Sequence, residues 1–218
     1  MSSKDEITHS NIALWTRLPL VLASGSPRRA EILRTAGFTF TTRPVDLDED
    51  SFFFARNGRN VAIDLAKAKA RVAAEIPNRR ECVITADTVV VLDGEPLGKP
   101  GSRDEARTML RSLRARSHQV VTGVSVVADD IFHCTSVSTC VRFRDYTDAE
   151  IDAYIATRAP MDKAGAYGIQ DKPFAPAARY SGCYLNVVGL PLCGLGEMFT
   201  EARMLPEVMT LGCEGHRP

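Results

Sequence analysis

The sequence predicts an α/β fold in which helices flank a mixed sheet. Val- and Ile-rich runs suited to buried strands recur at 20–24, 82–85, 89–92, 118–128 and 131–143. Segments of helical spacing lie among them, and two of these open on capping-box signatures. The order of strands and helices is mixed rather than strictly alternating, which fits an α/β or α+β domain around one mixed sheet.

At 218 residues the chain is long enough to bury roughly 70% of its unfolded surface. Apolar residues make up 44% and charged residues 25%, an ordinary globular composition. Lys and Arg total 27, Asp and Glu total 27, and the formal net charge is zero. A polymeric nucleic-acid binder or a binder of anionic membranes would carry a basic surplus, so both are disfavoured. A small anion remains acceptable, because a cleft can be basic on a neutral protein. No run reaches the ~20 apolar residues needed to span a bilayer. The polar start of the chain, followed by Arg17 and Pro19, does not read as a secretory signal. Six cysteines (82, 134, 140, 183, 193, 213) are scattered without a Cys-x-x-Cys pair. Reduced thiols in a cytoplasmic protein are the expectation.

Residues 1–18 read as a flexible N-terminal extension, 19–203 as the domain and 204–218 as a C-terminal tail. The first strand, 20–24, runs into Gly25-Ser26-Pro27, where Ser26 can cap a helix that has proline in its first turn. Gly37 ends that helix. Residues 38–42 alternate like a strand, and 45–50 form an acidic loop. From 59 to 75 the apolar positions Val61, Leu65, Ala68 and Val72 define one helical face, with Lys69 on the polar-leaning side. Two apolar runs flank Ala86-Asp87-Thr88, and Asp93-Gly94 reads as a hairpin turn. Ser102 and Thr147 each sit three residues before a glutamate and open helices to about 113 and 157. The stretch 162–170 is too polar and glycine-punctuated for a plain strand, and Pro191 can start a last helix to about 203.

Several groups could carry chemistry. Ser24-Gly25-Ser26-Pro27-Arg28-Arg29 lies at a strand-to-helix junction, where hydroxyls, N–H groups and the helix dipole suit a phosphate. The same residues also fit a capped helix with exposed arginines. Asp87 interrupts an apolar strand region, and could be a β-bulge or strand-end residue, a metal ligand or a proton acceptor. Lys69, Lys99 and the acidic loop containing Glu49 say little singly. Gly165, Gly168 and Gln170 could bring backbone and an amide against a flat ring. No histidine pattern suggests a metal site, and neither a nucleophile elbow nor a P-loop is present.

Taken in order, Leu22 to Arg29, Glu49, Leu65-Ala66 with Lys69, Ala86-Asp87-Thr88, Leu97-Gly98-Lys99-Pro100, Asp162 to Gln170 and Asn186 to Pro191 resemble the Maf family of nucleoside triphosphate pyrophosphatases. The resemblance implies a Maf/ITPase-like fold with two lobes around a deep cleft. It implies hydrolysis of a nucleoside triphosphate to the monophosphate and pyrophosphate with Mg²⁺ or Mn²⁺, and a homodimer. By the same resemblance Asp87, Glu49, Lys69 and Lys99 are catalytic positions, and Asp87 and Glu49 are the metal ligands. Ser24, Ser26, Arg28 and Arg29 fall in the phosphate segment, and Arg28, Thr88 and Gln170 where the base is chosen. The wording Ala-Gly-Ala-Tyr-Gly-Ile-Gln resembles the branch acting on dTTP, UTP and modified pyrimidine nucleotides, with house-cleaning and division-arrest roles implied. The alternatives are the 7-methyl-GTP branch and a non-catalytic nucleotide-binding regulator of septum formation. Asp171-Lys172-Pro173 departs from the glycine-rich continuation of the family pattern.

Overall fold

Leu20–Leu22 (β1) is buried at all three positions, as a strand covered on both faces must be. It pairs in parallel with Phe40–Thr42 (β2) and with Cys82–Leu92 (β3). Beyond β3 the sheet becomes antiparallel: Glu95–Leu97 (β4) returns along one end of β3, Ser117–Ala128 (β5) along its length, and then come Ile131–Phe143 (β6) and Ala177–Ser181 (β7). The path is β2-β1-β3-β5-β6-β7, with β4 branching from β3. The mixed sheet is therefore as expected. The computed structural model describes residues 18–48, 58–74, 80–128, 131–202, 204 and 213. Glu49 and both chain ends lie outside the described residues.

Among the described residues, the α-helices are Pro27–Thr35 (α1), Gly58–Ala74 (α2), Arg103–Leu113 (α3), Asp148–Ala156 (α4), Tyr184–Val188 (α5) and Leu192–Glu201 (α6). Thr147 and Glu150 complete a reciprocal capping box at α4. At α3 Ser102 caps the N–H of Glu105, but the Glu105 carboxylate turns back to the N–H of Gly101, so only half of the expected box forms. Ser26 holds the N-cap position of α1 without a side-chain capping bond. Its N–H instead donates to Ser24 Oγ at 3.2 Å.

Two sequence expectations are corrected here. Asp87 sits in no bulge: β3 and β5 stay in continuous register from Val83 against Val127 to Val91 against Gln119. Lys69 does not face solvent. The buried face of α2 keeps Val61 and Leu65 of the apolar stripe but turns from Ala68 and exposed Val72 toward Ala62, Ala66, Lys69, Ala70 and Ala73. The physical reason is Gly123, which lies opposite Asp87 in β5. A Cβ there would come within 2.3 Å of the Ala62 carbonyl oxygen, so glycine alone allows the alanine-rich side of α2 to rest directly on the sheet.

The sheet has a waist. On one face of β3, Ile84 and Ala86 belong to one hydrophobic core, Val90 and Leu92 to another, and Thr88 lies between. On the opposite face Val83 belongs to one cluster, Val89 and Val91 to another, and Thr85 and Asp87 lie between. Period-two alternation thus gives each face its own polar gap at the same level of the strand.

Within the second of these cores, His118 is buried edge-on against Phe143 and Tyr167, and its Nε2 lies 2.8 Å from the Tyr167 hydroxyl. Burial lowers its pKa from 6.5 to about 4. The unfolded chain therefore takes up a proton first as pH falls. Stability should be unaffected by this group above about 6.5 and should decline as pH drops toward about 4, by on the order of 3 kcal/mol in total. Urea midpoints measured across that range check it: His118→Leu should start lower at neutral pH but lose this part of the slope.

Candidate active site

Segments far apart in sequence meet at the waist of β3 around a cleft of about 770 Å³. The β1-to-α1 junction contributes Ser24 through Arg29, α2 contributes Lys69, and β3 contributes Asp87 and Thr88. Lys99 follows β4, residues 162–171 form the facing turn, and Val187 and Val188 close the floor from α5. Ser24, Ser26, Arg28, Arg29, Lys69, Asp87, Thr88, Lys99, Gly168 and Gln170 all border this cleft, whereas Gly165 packs against Val90 instead.

Asp87 and Lys69 are nearly closed to solvent, at 7% and 8% exposure. Lys69 Nζ donates to Asp87 Oδ2, forming an ion pair across the helix–sheet contact. A carboxylate in the middle of a strand buried on both faces is tolerable only with such a partner. The pair therefore fixes both groups at the cleft wall.

The two arginines differ. Arg28 is half-buried and reaches across the cleft to Asp162 at 3.3 Å. Arg29 is built into the wall: Nε donates to the Gly189 carbonyl at 2.8 Å, Nη1 to Ser24 Oγ at 3.2 Å and Nη2 to Thr88 Oγ1 at 3.2 Å. It ties the α1 junction, β3 and the end of α5 together. Thr88 passes the chain on, sharing a hydrogen bond with Thr122, whose Oγ1 donates to the Asn186 carbonyl.

Asn186 is a residue that sequence reasoning passed over. It is fully buried, its Oδ1 accepts from the Thr122 N–H, and its Nδ2 donates to the Val120 carbonyl and to Thr139 Oγ1. An amide inside an apolar run was the available signal, because such a group is buried only when satisfied. Asp162 and Asp171 were likewise given no role. Tyr154 donates to Asp171 Oδ2 and accepts the Gly168 N–H, and the Asp171 N–H donates to the Gly168 carbonyl. This bracing sets the turn that presents Gln170 to the cleft, so the departure at Asp171 supplies an anchor of its own.

Among the described residues, five cationic side chains (Arg28, Arg29, Lys69, Lys99, Lys163) and four carboxylates (Asp87, Glu105, Asp162, Asp171) line the cleft. The N-terminus of the nine-residue α1 adds positive dipole. The arrangement can bind an anionic ligand and can place a carboxylate beside it.

Residues 19–202 match the family described as Maf-like protein. A dTTP/UTP pyrophosphatase of Symbiobacterium thermophilum is 46% identical over 84% of this chain and 93% of its own length. A dTTP/UTP pyrophosphatase of Thermococcus kodakarensis is 44% identical over 79% of this chain and 91% of its own. A solved dITP/XTP pyrophosphatase of Mycobacterium abscessus overlaps 58% of this chain and 73% of its own at 11% identity, with a TM-score of 0.35, a likeness too slight to argue from.

The buried pair generates a double-mutant prediction. Lys69→Met leaves Asp87 charged and unpaired, and should cost roughly 3 kcal/mol or more. Replacing both partners by apolar residues, Lys69→Met with Asp87→Leu, should recover most of that loss. Equilibrium urea unfolding of the wild type, Lys69→Met, Asp87→Leu and the double variant checks the cycle, and additive losses would mean the two charges are not coupled.

Proposed function

The chain belongs to the family of Maf-like proteins, and on that premise we propose that it hydrolyses dTTP and UTP to the nucleoside monophosphate and pyrophosphate. The observation that carries this reading is Asp87, a buried carboxylate held against Lys69 inside a cleft that Arg28, Arg29 and Lys99 also border. A site that only held nucleotide would have little use for a buried acid beside the phosphates. The names of the relatives supply the pyrimidine preference.

In the proposed reaction Asp87 accepts a proton from a water that attacks the α-phosphorus. The new bond is water oxygen to α-phosphorus, and the bond broken joins that phosphorus to the α–β bridging oxygen. Pyrophosphate carries away the electron pair. Lys69 holds the carboxylate in position. Arg28 and Lys99 would face the β- and γ-phosphates, where charge develops as the leaving group departs. Arg29 holds the wall against which they act.

A divalent cation, Mg²⁺ or Mn²⁺, fits this donor set. The cleft's formal charges nearly balance, whereas a triphosphate brings about four negative charges that need neutralising. Asp87 offers the carboxylate oxygen that such cations take together with substrate phosphates, and Glu49 would be a second ligand. When bound, the cation supplies charge neutralisation and acidifies a coordinated water.

For base choice, Gln170 lies on the turn braced by Tyr154 and Asp171, opposite Arg28 and Thr88. We assign it the reading of the base edge.

Asp87→Asn should lose at least about a thousandfold in kcat with its circular dichroism spectrum unchanged. Pyrophosphate release from dTTP and UTP with Mg²⁺ or Mn²⁺ measures it, and near-normal turnover would remove Asp87 from the mechanism. In a panel with ATP, GTP and 7-methyl-GTP, the parent should cleave dTTP and UTP fastest, and Gln170→Ala should level the profile. Nucleotide bound but never consumed would instead fit a regulator, and a purine-first profile would overturn the pyrimidine assignment.

A further inference from the structure

Three cysteines dispersed through the last sixth of the chain converge away from the cleft. The sulfurs of Cys183, Cys193 and Cys213 lie within 4.8 Å of one another, and all three residues are buried. Cys183 and Cys213 are in contact, with sulfurs 3.0 Å apart. The apolar core around them contains Leu190, Leu192 and Met198.

Two features set this cluster apart from ordinary core thiols. First, its sulfurs receive N–H donors. Cys183, the N-cap of α5, accepts from the Asn186 N–H at 3.3 Å. The Leu192 and Cys193 N–H groups, at the start of the ten-residue α6, are directed at Cys213. Donors at helix N-termini favour sulfur as thiolate. Second, there are three sulfurs rather than two. A disulfide would satisfy one pair and leave the remaining thiol pressed against it. Three thiols gathered in an apolar core can give up their protons to one cation shared among them.

We propose that Cys183, Cys193 and Cys213 form a binding site for one thiophilic metal ion of the Zn²⁺ class. Three sulfurs about an ion at ~2.3 Å stand roughly 3.7–4.0 Å apart, so the cluster needs the Cys183 and Cys213 sulfurs, 3.0 Å apart, to part by about 1 Å. Soft sulfur donors select such ions over Mg²⁺ or Mn²⁺, so this site and the cleft would hold different metals. Its role is structural. The ion would pin the segment at Cys213 to the starts of α5 and α6, and α5 carries Asn186 and runs into the Gly189 carbonyl that holds Arg29. None of the three cysteines borders the cleft.

The test uses the reduced full chain and two probes. In competition with a chromophoric chelator, the wild-type protein should retain one equivalent of Zn²⁺, and Co²⁺ should give thiolate-to-metal charge-transfer absorption. Cys193→Ser should lose that absorption and weaken Zn²⁺ retention roughly tenfold or more. Cys134→Ser with Cys140→Ser should change neither. Should the serine variant fail to fold, the wild-type measurements decide alone. Folded, fully reduced wild-type protein that yields all Zn²⁺ to the chelator and gives no Co²⁺ band overturns the site. So does isolated protein two hydrogens lighter, with Cys183 and Cys213 cross-linked and no metal uptake after reduction.

Discussion

A carboxylate in the middle of an eleven-residue strand covered on both faces is a standing cost to the fold, and the meeting of Asp87 with Lys69 makes it tolerable. That meeting needs α2 to lie unusually close to the sheet. Closeness comes from Gly123, directly across from Asp87, and from the alanines of α2 that face it. A larger residue at either place would lift the helix and leave two buried charges apart. The polar pair and the tight helix–sheet seam are therefore one constraint, and the cleft is built at its edge.

The same waist organises the opposite face of the sheet. Thr88 follows Asp87, points the other way, and enters a hydrogen-bonded chain through Arg29, Thr122 and Asn186 to the end of α5. Buried polar networks of this kind are favourable only when each member is satisfied, and Asn186 is satisfied on both its amide atoms. The two faces thus do different work. One holds an acid in place, and the other fixes the distance between the α1 junction and the floor. Flanking cores on either side of the waist keep the two walls of the cleft apart.

Much of this was legible from the chain itself. Helix starts at Pro27, Arg103 and Asp148 follow from local capping and proline rules, which act over a few residues and so survive in sequence. The Asp93-Gly94 turn was equally plain, because positive φ at both residues suits that pair. Other elements were not. The edge strand β7, Ala-Ala-Arg-Tyr-Ser, has no clean alternation and depends on pairing with β6. The short α5 reads as a β-branched apolar run, and only the Cys183 cap and the Gly189 turn make it helical.

What the sequence determined by itself was the set of groups: an acid among valines, an arginine pair at a helix start, lysines at fixed places, a glycine-punctuated turn. These are chemical identities, and periodicity placed most of them on elements. Tertiary structure alone decided which of them touch. It turned Lys69 from an apparently solvated position into the partner of Asp87, gave Arg29 three protein acceptors while Arg28 reached across to Asp162, and gathered three scattered cysteines into one cluster. The reason is physical. Helix rotation, close approach and long-range convergence depend on the shapes of surfaces that meet only after folding, and no local pattern encodes them.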